Sequence, residues 1–386
     1  MPAVSDLLRL RVWLVHDWLN GMRGGEKVLL ELTRLFPNSR IATLFHVPGA
    51  THAELDARVA RTSFLQGVPR INEIYRNLLP IMPAAIRSIV LDECDLVIST
   101  SHCVAKGVNV PRGTPHLCYC FTPMRYLWDL QAHYLSPKFS IKDGLARLAT
   151  PMLRDVDLAL NDGVTAFATT AHFVADRIRR CYGRTATVIP PGIDEAFGGL
   201  PAPATAGTTA DPFYLVVSAL VPYKRVDLAI EAFLHSQDPP TAKAKAHLVV
   251  IGQGPEEGRL RKLARGAAHI HFLGWQPDEV VRDHYQRCEA LLFPGVEDFG
   301  IVPLEVQVCG RPVIAYGEGG ALETVVGGVT GVFFREQTVG ALREAIGEYE
   351  SGRSGFDSGA CRANALRFSW GRFDEGMAAL VAGMVG

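Results

Sequence analysis

Ala290-Leu291-Leu292-Phe293-Pro294-Gly295-Val296-Glu297-Asp298-Phe299-Gly300-Ile301-Val302-Pro303-Leu304-Glu305 reads as a buried strand, a glycine-containing loop with two acids, and a helix opening around Gly300. Proline is tolerated in a first helical turn, whose amides have no partner within the helix, so Pro303 suits that opening. Strand, loop and helix in this order build the ligand edge of a doubly wound sheet. The free N–H groups of Gly300, Ile301 and Val302 would meet an incoming phosphate with the helix's partial positive charge behind them. Glu297, at the loop tip, would accept hydrogen bonds from sugar hydroxyls, and Glu305, within the helix, from a ribose hydroxyl.

The same alternation of apolar β-branched runs with helical patterns extends along the whole chain, the sign of βαβ units and parallel sheets. Strands are expected near 12–16, 40–44, 96–100, 116–120 and 166–169, and again near 214–218, 247–251, 270–273, 290–293, 312–315 and 331–333. Residues 195–212, rich in Ala, Gly, Pro and Thr, read as a linker. At 386 residues the chain exceeds what one hydrophobic core usually supports. The expectation is therefore an α/β chain of two Rossmann-like domains, 1–194 and 213–364, with parallel sheets facing across a cleft. Residues 365–386 would form closing helices with an aromatic face of Phe368, Trp370 and Phe373.

Composition narrows the function. Hydrophobic residues make up 48% and charged residues 20%, and no apolar run reaches the roughly 18 residues of a membrane span. The apolar start at 7–15 is broken by Arg9 and Arg11 and lacks a small-residue cleavage site, so it reads as a first strand and the cytoplasm is expected. The eight cysteines show no CxxC spacing and read as reduced, buried thiols, and no HExxH occurs among the twelve histidines. No structural metal is expected. Residues 1–194 carry 22 Lys/Arg against 17 Asp/Glu, and 195–386 carry 17 against 23. That bias is too scattered for nucleic acid, but it leaves an anionic small molecule or an anionic membrane surface open as partners of the first half.

With Glu297 and Glu305 separated by seven intervening residues around Phe299-Gly300-Ile301-Val302-Pro303-Leu304, the chain resembles the retaining family 4 glycosyltransferases of GT-B fold, and among them the bacterial polysaccharide mannosyltransferases. In Ser218-Ala219-Leu220-Val221-Pro222-Tyr223-Lys224-Arg225, Lys224 takes the place of the lysine that holds the donor diphosphate. An ammonium there would stabilise the charge that grows on the leaving phosphate. Gly252, in Ile251-Gly252-Gln253-Gly254, matches the family's glycine turn, and Gly274, Trp275 and Gln276 match its base-flanking loop. Gly317-Glu318-Gly319-Gly320 resembles a further turn of the family and reads as structural first.

In the first half, His16-Asp17-Trp18-Leu19-Asn20-Gly21-Met22-Arg23-Gly24-Gly25-Glu26 follows the first strand. In the family the corresponding loop lies against the donor diphosphate and the acceptor, which brings Gly24 and Gly25 to the phosphates. Asp17 either faces the acceptor or caps the loop. The dinucleotide fingerprint GxGxxG is absent, which counts against NAD. Tyr119-Cys120-Phe121-Thr122-Pro123-Met124-Arg125 resembles a segment of the polysaccharide mannosyltransferases, with two departures. Many relatives carry histidine where Phe121 stands, and arginine where Ala219 stands five residues before the lysine. A second phosphate cation would then come from Arg225, Arg23 or Arg125.

The resemblance implies an N-terminal acceptor-binding domain, a C-terminal sugar-nucleotide domain, and transfer of a hexose with retention. The favoured donor is GDP-mannose, and the favoured acceptor a glycan or polyprenyl-diphosphate-linked glycan of a cell-surface polysaccharide. No cofactor or metal is implied, because cationic side chains and helix dipoles serve the diphosphate. Asp155-Val156-Asp157 spells DxD but lies in a helical pattern and reads as solvated helix acids. Ile71, Ile74, Tyr75 and Leu78 form a stripe near Arg70 and Arg76 that either packs on the sheet or docks on the inner membrane face. A sugar-nucleotide epimerase, a phosphorylase and a non-catalytic sugar-nucleotide-binding subunit are the rival readings.

Overall fold

The computed structural model describes residues 8–129, 141–198, 212–234, 246–352 and 355–385, the side chains of 141–149, 195 and 196 excepted. The chain divides into two compact units, residues 1–191 with 370–386, and residues 192–369.

The first unit is built on a seven-stranded parallel sheet ordered β3-β2-β1-β4-β5-β6-β7. Its strands are β1 (Val12–His16), β2 (Arg40–Thr43), β3 (Val59–Thr62), β4 (Leu96–Ser101), β5 (His116–Cys120), β6 (Ala166–Thr169) and β7 (Thr187–Val188). β1 shows why these segments are strands. Trp13 and Val15 enter one core cluster while Val12 and Leu14 enter another on the opposite face, as period-two alternation requires of a strand covered on both sides.

The second unit has a six-stranded parallel sheet ordered β10-β9-β8-β11-β12-β13. Its strands are β8 (Phe213–Val217), β9 (His247–Ile251), β10 (Ile270–Gly274), β11 (Leu291–Phe293), β12 (Val313–Tyr316) and β13 (Gly331–Phe334). All six lie where the apolar runs place them. In each sheet the strand order reverses beside the first strand, at β1/β4 and at β8/β11. The crevice outside the carboxyl ends of such a pair is where doubly wound sheets bind ligands.

The structure corrects two sequence expectations and decides between the two readings of a third. β3 and β7 are additional edge strands, half-buried at most, so neither carries the apolar run that marks the central strands. Ile71 and Tyr75 are buried in a core cluster against which Leu78 packs, so the stripe is core and offers no membrane-docking face. Asp155 is exposed, but Asp157 is fully buried, with Lys106 Nζ 2.5 Å from Oδ1 and both Trp128 Nε1 (2.7 Å) and Tyr182 Oη (3.0 Å) donating to Oδ2. It is an interior ion-pair hub and not a solvated acid. Among the described residues no helix is long and apolar enough to cross a membrane.

The C-terminal helix Trp370–Val385 belongs to the first unit. Phe373, Met377 and Val381, four residues apart, are fully buried in that unit's core, and the Phe373 ring meets Tyr119 edge-on at 5.6 Å. Beside this stripe Asp374 faces Glu31 of the helix Gly24–Leu35. Burial, then the neighbouring Glu31 charge and their shared hydrogen bond, pushes the Asp374 carboxyl up to about 6. A raised native pKa means the native state holds the proton more tightly. The contribution is full below the unfolded value of about 4 and is lost as pH rises through the native one. Asp374→Asn is therefore expected to flatten the fall in melting temperature between about pH 4 and pH 7 and to melt above the parent at pH 8. Parallel pH-dependent melts of the two proteins check this.

Candidate functional site

The second unit's switch point is assembled by close backbone approach between the loops that follow β8, β11 and β12. After β8 the chain makes a short turn, Pro222–Lys224, and Arg225 takes the left-handed conformation at φ 51°. After β11, Gly295 lies against that turn. A Cβ on it would stand 2.8 Å from Lys224 Cα and 2.9 Å from Tyr223 O, so only glycine lets the two loops meet. After β12, Gly319 at φ 75° clamps the acidic loop from the other side. A Cβ there would lie 2.5 Å from the Glu297 carbonyl, which accepts the Gly320 amide at 2.8 Å.

This packing brings the two residues expected to do the chemistry together. Lys224 Nζ and Glu297 Oε1 form an ion pair with both side chains largely but not wholly covered, at 19% and 12% exposure. Three residues beyond Glu297, Gly300 (φ 92°) precedes the helix Ile301–Val308 and starts it from a left-handed conformation that glycine adopts without strain. Phe299 is buried against Phe368, and Ile301 and Val302 are half-buried. Glu305 accepts a hydrogen bond from the buried Tyr285 hydroxyl at 3.0 Å, which fixes one carboxylate oxygen.

The remaining expected donor residues divide. Trp275 is 67% exposed after β10, beside Gly274 at φ 69°. Gln276 spends its side-chain amide on Leu273 O at 2.6 Å, so it shapes its own turn. Gly252 permits packing: a Cβ would fall 1.8 Å from Ser218 O, and its amide donates to Gly274 O. Arg225 leans on Asp227 at 3.3 Å, which partly satisfies the cation expected to reinforce Lys224.

In the first unit Asp17 is fully buried and caps the turn after β4. Its carboxylate accepts four backbone amides, those of residues 102 to 105, at 2.7–2.9 Å. Gly24 is exposed, and Gly25 lies close to the Phe121 ring, where a Cβ would stand 3.2 Å away. The Glu26 carboxylate accepts the Arg23 backbone amide at 3.0 Å at the start of the helix that begins at Gly24, and the Arg23 side chain donates to Asn20 Oδ1 at 3.1 Å. Asn20 in turn donates to Asn72 Oδ1 at 2.8 Å, tying the glycine loop to the segment that follows β3. Arg125 is half-buried. Asn72 and His102 were not legible as site neighbours, because both join it across more than fifty residues. Among the described residues no group of three or more His, Cys, Asp or Glu is placed to hold a metal ion.

Residues 203–361 match the family model described as glycosyl transferases group 1. The second unit is a glycosyl transferases group 1 domain. A GDP-mannose-dependent α-(1-6)-phosphatidylinositol monomannoside mannosyltransferase of Mycolicibacterium smegmatis is 29% identical over 219 residues, 51% of this chain and 56% of that protein. A D-inositol 3-phosphate glycosyltransferase of Geodermatophilus obscurus is 31% identical over 213 residues, 51% of this chain and 47% of that protein. The chain thus spans about half the length of the curated relatives it matches. Among solved structures, the sucrose-phosphate synthase of Thermosynechococcus elongatus aligns over 97% of this chain and 99% of its own, with TM-score 0.70 and 17% identity. Anabaena HepE in complex with UDP-glucose aligns over 97% and 100%, with TM-score 0.68 and 17% identity. These likenesses give the fold. A group 1 domain in the second unit and a second Rossmann-like sheet in the first make this the GT-B fold.

Proposed function

We propose that the chain is a retaining glycosyltransferase that moves mannose from GDP-mannose to a glycan or polyprenyl-diphosphate-linked acceptor, on the cytoplasmic side, during cell-surface polysaccharide assembly. The observation that carries this reading is the Lys224–Glu297 pair beside the helix start at Gly300, at the switch point of a group 1 domain. Without donor each charge neutralises the other. A diphosphate would take the ammonium, and the freed carboxylate would turn to the hexose hydroxyls. In the transfer itself the C1–O bond to phosphate breaks and a C1–O bond to the acceptor forms on the same face. The acceptor proton passes to a phosphate oxygen, and Lys224 holds the charge left there. The mannosyl donor is supported by the similarity to the GDP-mannose-dependent mannosyltransferase of Mycolicibacterium smegmatis.

A metal has no essential task in this scheme, because the ammonium and the helix N-terminus meet the diphosphate. The test is a thermal-shift comparison of GDP-, UDP- and ADP-sugars in excess EDTA. A ligand at about 100 times its dissociation constant stabilises the native state by about 2.7 kcal/mol, so GDP-mannose should raise the melting temperature and the others should not. Stabilisation that appears only when Mg²⁺ or Mn²⁺ is restored would refute the metal-free scheme, and selective stabilisation by a different sugar nucleotide would replace the donor. One observation favours a binding subunit instead: Phe121 presents an apolar ring over Gly25, where many relatives place histidine. Release of free nucleotide from the bound donor separates transfer from mere binding.

A further inference from the structure

Behind the glycine turn at 319–320 lie three buried polar side chains that are far apart in sequence and all within the second unit. Gln307 is on the helix Ile301–Val308, Thr324 ends the short helix Ala321–Thr324, and Asn364 is on the helix Ser358–Ala365. Gln307 and Thr324 are 0% exposed and Asn364 is 6% exposed, so each polar atom left unmet there would cost stability. None of the amide hydrogens is left over. Gln307 Nε2 donates to Pro303 O and to Thr324 O, both at 2.9 Å, and Asn364 Nδ2 donates to Gln307 Oε1 at 2.7 Å and to Thr324 O at 2.9 Å. Backbone carbonyls face both NH2 groups, which fixes the orientation of the two amides.

The bond to Pro303 stays within Gln307's own helix and sets the rotamer of its side chain. The other three cross between helices and converge on Thr324. From Thr324 the connection continues to the acidic loop, because its hydroxyl and its amide both donate to Gly320 O at 3.1 Å, and the Gly320 amide donates to Glu297 O at 2.8 Å. A Cβ on Gly320 would stand 2.4 Å from Phe299 O, so turn and loop are in backbone contact and move together. We infer that Gln307, with Asn364 beside it, is a positioning residue for glycosyl transfer, which holds the glycine turn so that the Glu297 loop is fixed before the hexose arrives. This deepens the transfer reading and rests on it. A fully satisfied buried network specifies one arrangement of the elements it joins. Glu305 is held separately by Tyr285, so the contact assigned to the ribose does not depend on the network.

The experiment measures kcat and KM for nucleotide release from GDP-mannose, with water as the acceptor, in the parent, Gln307→Leu, Glu297→Ala and the variant that combines them. Melting curves set the assay temperature below every transition. Gln307→Leu is expected to lose about tenfold in kcat, with the KM for GDP-mannose within about twofold of the parent, as for partial misplacement of one reacting group. In the Glu297→Ala background the same substitution should change kcat by less than about twofold, because a residue that acts through Glu297 then has nothing left to position. Gln307→Glu keeps the shape of the side chain but can donate only while its carboxyl is protonated, so its kcat relative to the parent should fall as pH rises from about 5 to 8.

A parent-like kcat in Gln307→Leu overturns this inference and leaves glycosyl transfer standing. A loss that recurs in full beside Glu297→Ala, or that falls mainly on KM, overturns it too, because the amide would then act on the fold or on the donor and not through Glu297. If Gln307→Leu does not fold, Gln307→Glu decides, and a ratio to the parent that stays constant with pH overturns the inference. No nucleotide release by the parent from GDP-, UDP- or ADP-sugars overturns the transfer reading and this inference with it.

Discussion

Lys224→Ala and Glu297→Ala should each lower nucleotide release from the donor by ~10²-fold or more while the chain stays folded, the scale seen when one preorganised electrostatic group is removed. The two losses differ in origin. Without Lys224 the leaving diphosphate loses the cation placed at its bridging charge, so the barrier rises where bond breaking is most advanced. Without Glu297 the hexose loses the acceptor for its hydroxyls, and Lys224 is left with an unbalanced charge before donor arrives. Both side chains are largely covered, at 19% and 12% exposure, so each single variant also loses some stability, and the melting curves read that loss apart from the loss in turnover. Glu305→Ala separates binding from chemistry. It should raise the KM for donor more than it lowers kcat, since Glu305, held by Tyr285, is assigned to the ribose and not to the bond that breaks. Steady-state kinetics with melting curves on all three variants check the assignment, and parent-like kinetics in the three together would sink it.

That site was legible because its parts are local in sequence or fixed by the sheet. The run 290–305 contains the strand, the acidic loop and the helix start, and Lys224 follows the neighbouring strand at the same edge. What the sequence could not show was which glycines serve ligand and which serve packing. Gly252 matches the family's glycine turn and reads as a donor-site glycine, yet its missing Cβ leaves room for the Ser218 carbonyl, thirty-four residues earlier in the chain. Asp17 shows the same limit. Its alternatives could be separated only by the turn after β4, whose amides arrive from residues 102 to 105.

Asp157 was a different failure, because its signal was present. In the helix Ile141–Ala159, Leu153, Asp157 and the following Leu160 fall at i, i+4 and i+7, which puts the acid on the apolar face and not beside it. A charged residue in such a stripe needs a buried counter-charge, and Lys106 lies too far away in sequence to be named as that partner in advance. The Ile71–Leu78 stripe left two readings open. Its periodicity was real, but periodicity alone does not say whether a sheet or a membrane covers it, and here the first unit's core does.

The buried pair sets the largest expected stability effect in the chain. Lys106 is 2% exposed and Asp157 is 0% exposed; burial alone would push the Lys106 pKa down, and the adjoining carboxylate reverses that and holds the ammonium charged. Lys106→Met leaves the carboxylate with only the Trp128 indole and Tyr182 hydroxyl as side-chain donors, in an interior that solvates charge poorly. Breaking one side of such a pair costs about 3–5 kcal/mol, while replacing both partners with apolar residues is often close to neutral. Lys106→Met is therefore expected to unfold the first unit at markedly lower urea, and Lys106→Met with Asp157→Leu to recover most of that loss. The recovery should be incomplete, because the double variant still strands the Trp128 and Tyr182 donors. Trp128 also ends the segment that carries Phe121 and Arg125, so its anchor at Asp157 holds that loop in place. Urea unfolding followed by far-UV circular dichroism measures both proteins, with the second unit's transition as an internal control. A double variant less stable than Lys106→Met would show that the hub's hydrogen bonds, and not its charge balance, hold the first unit together.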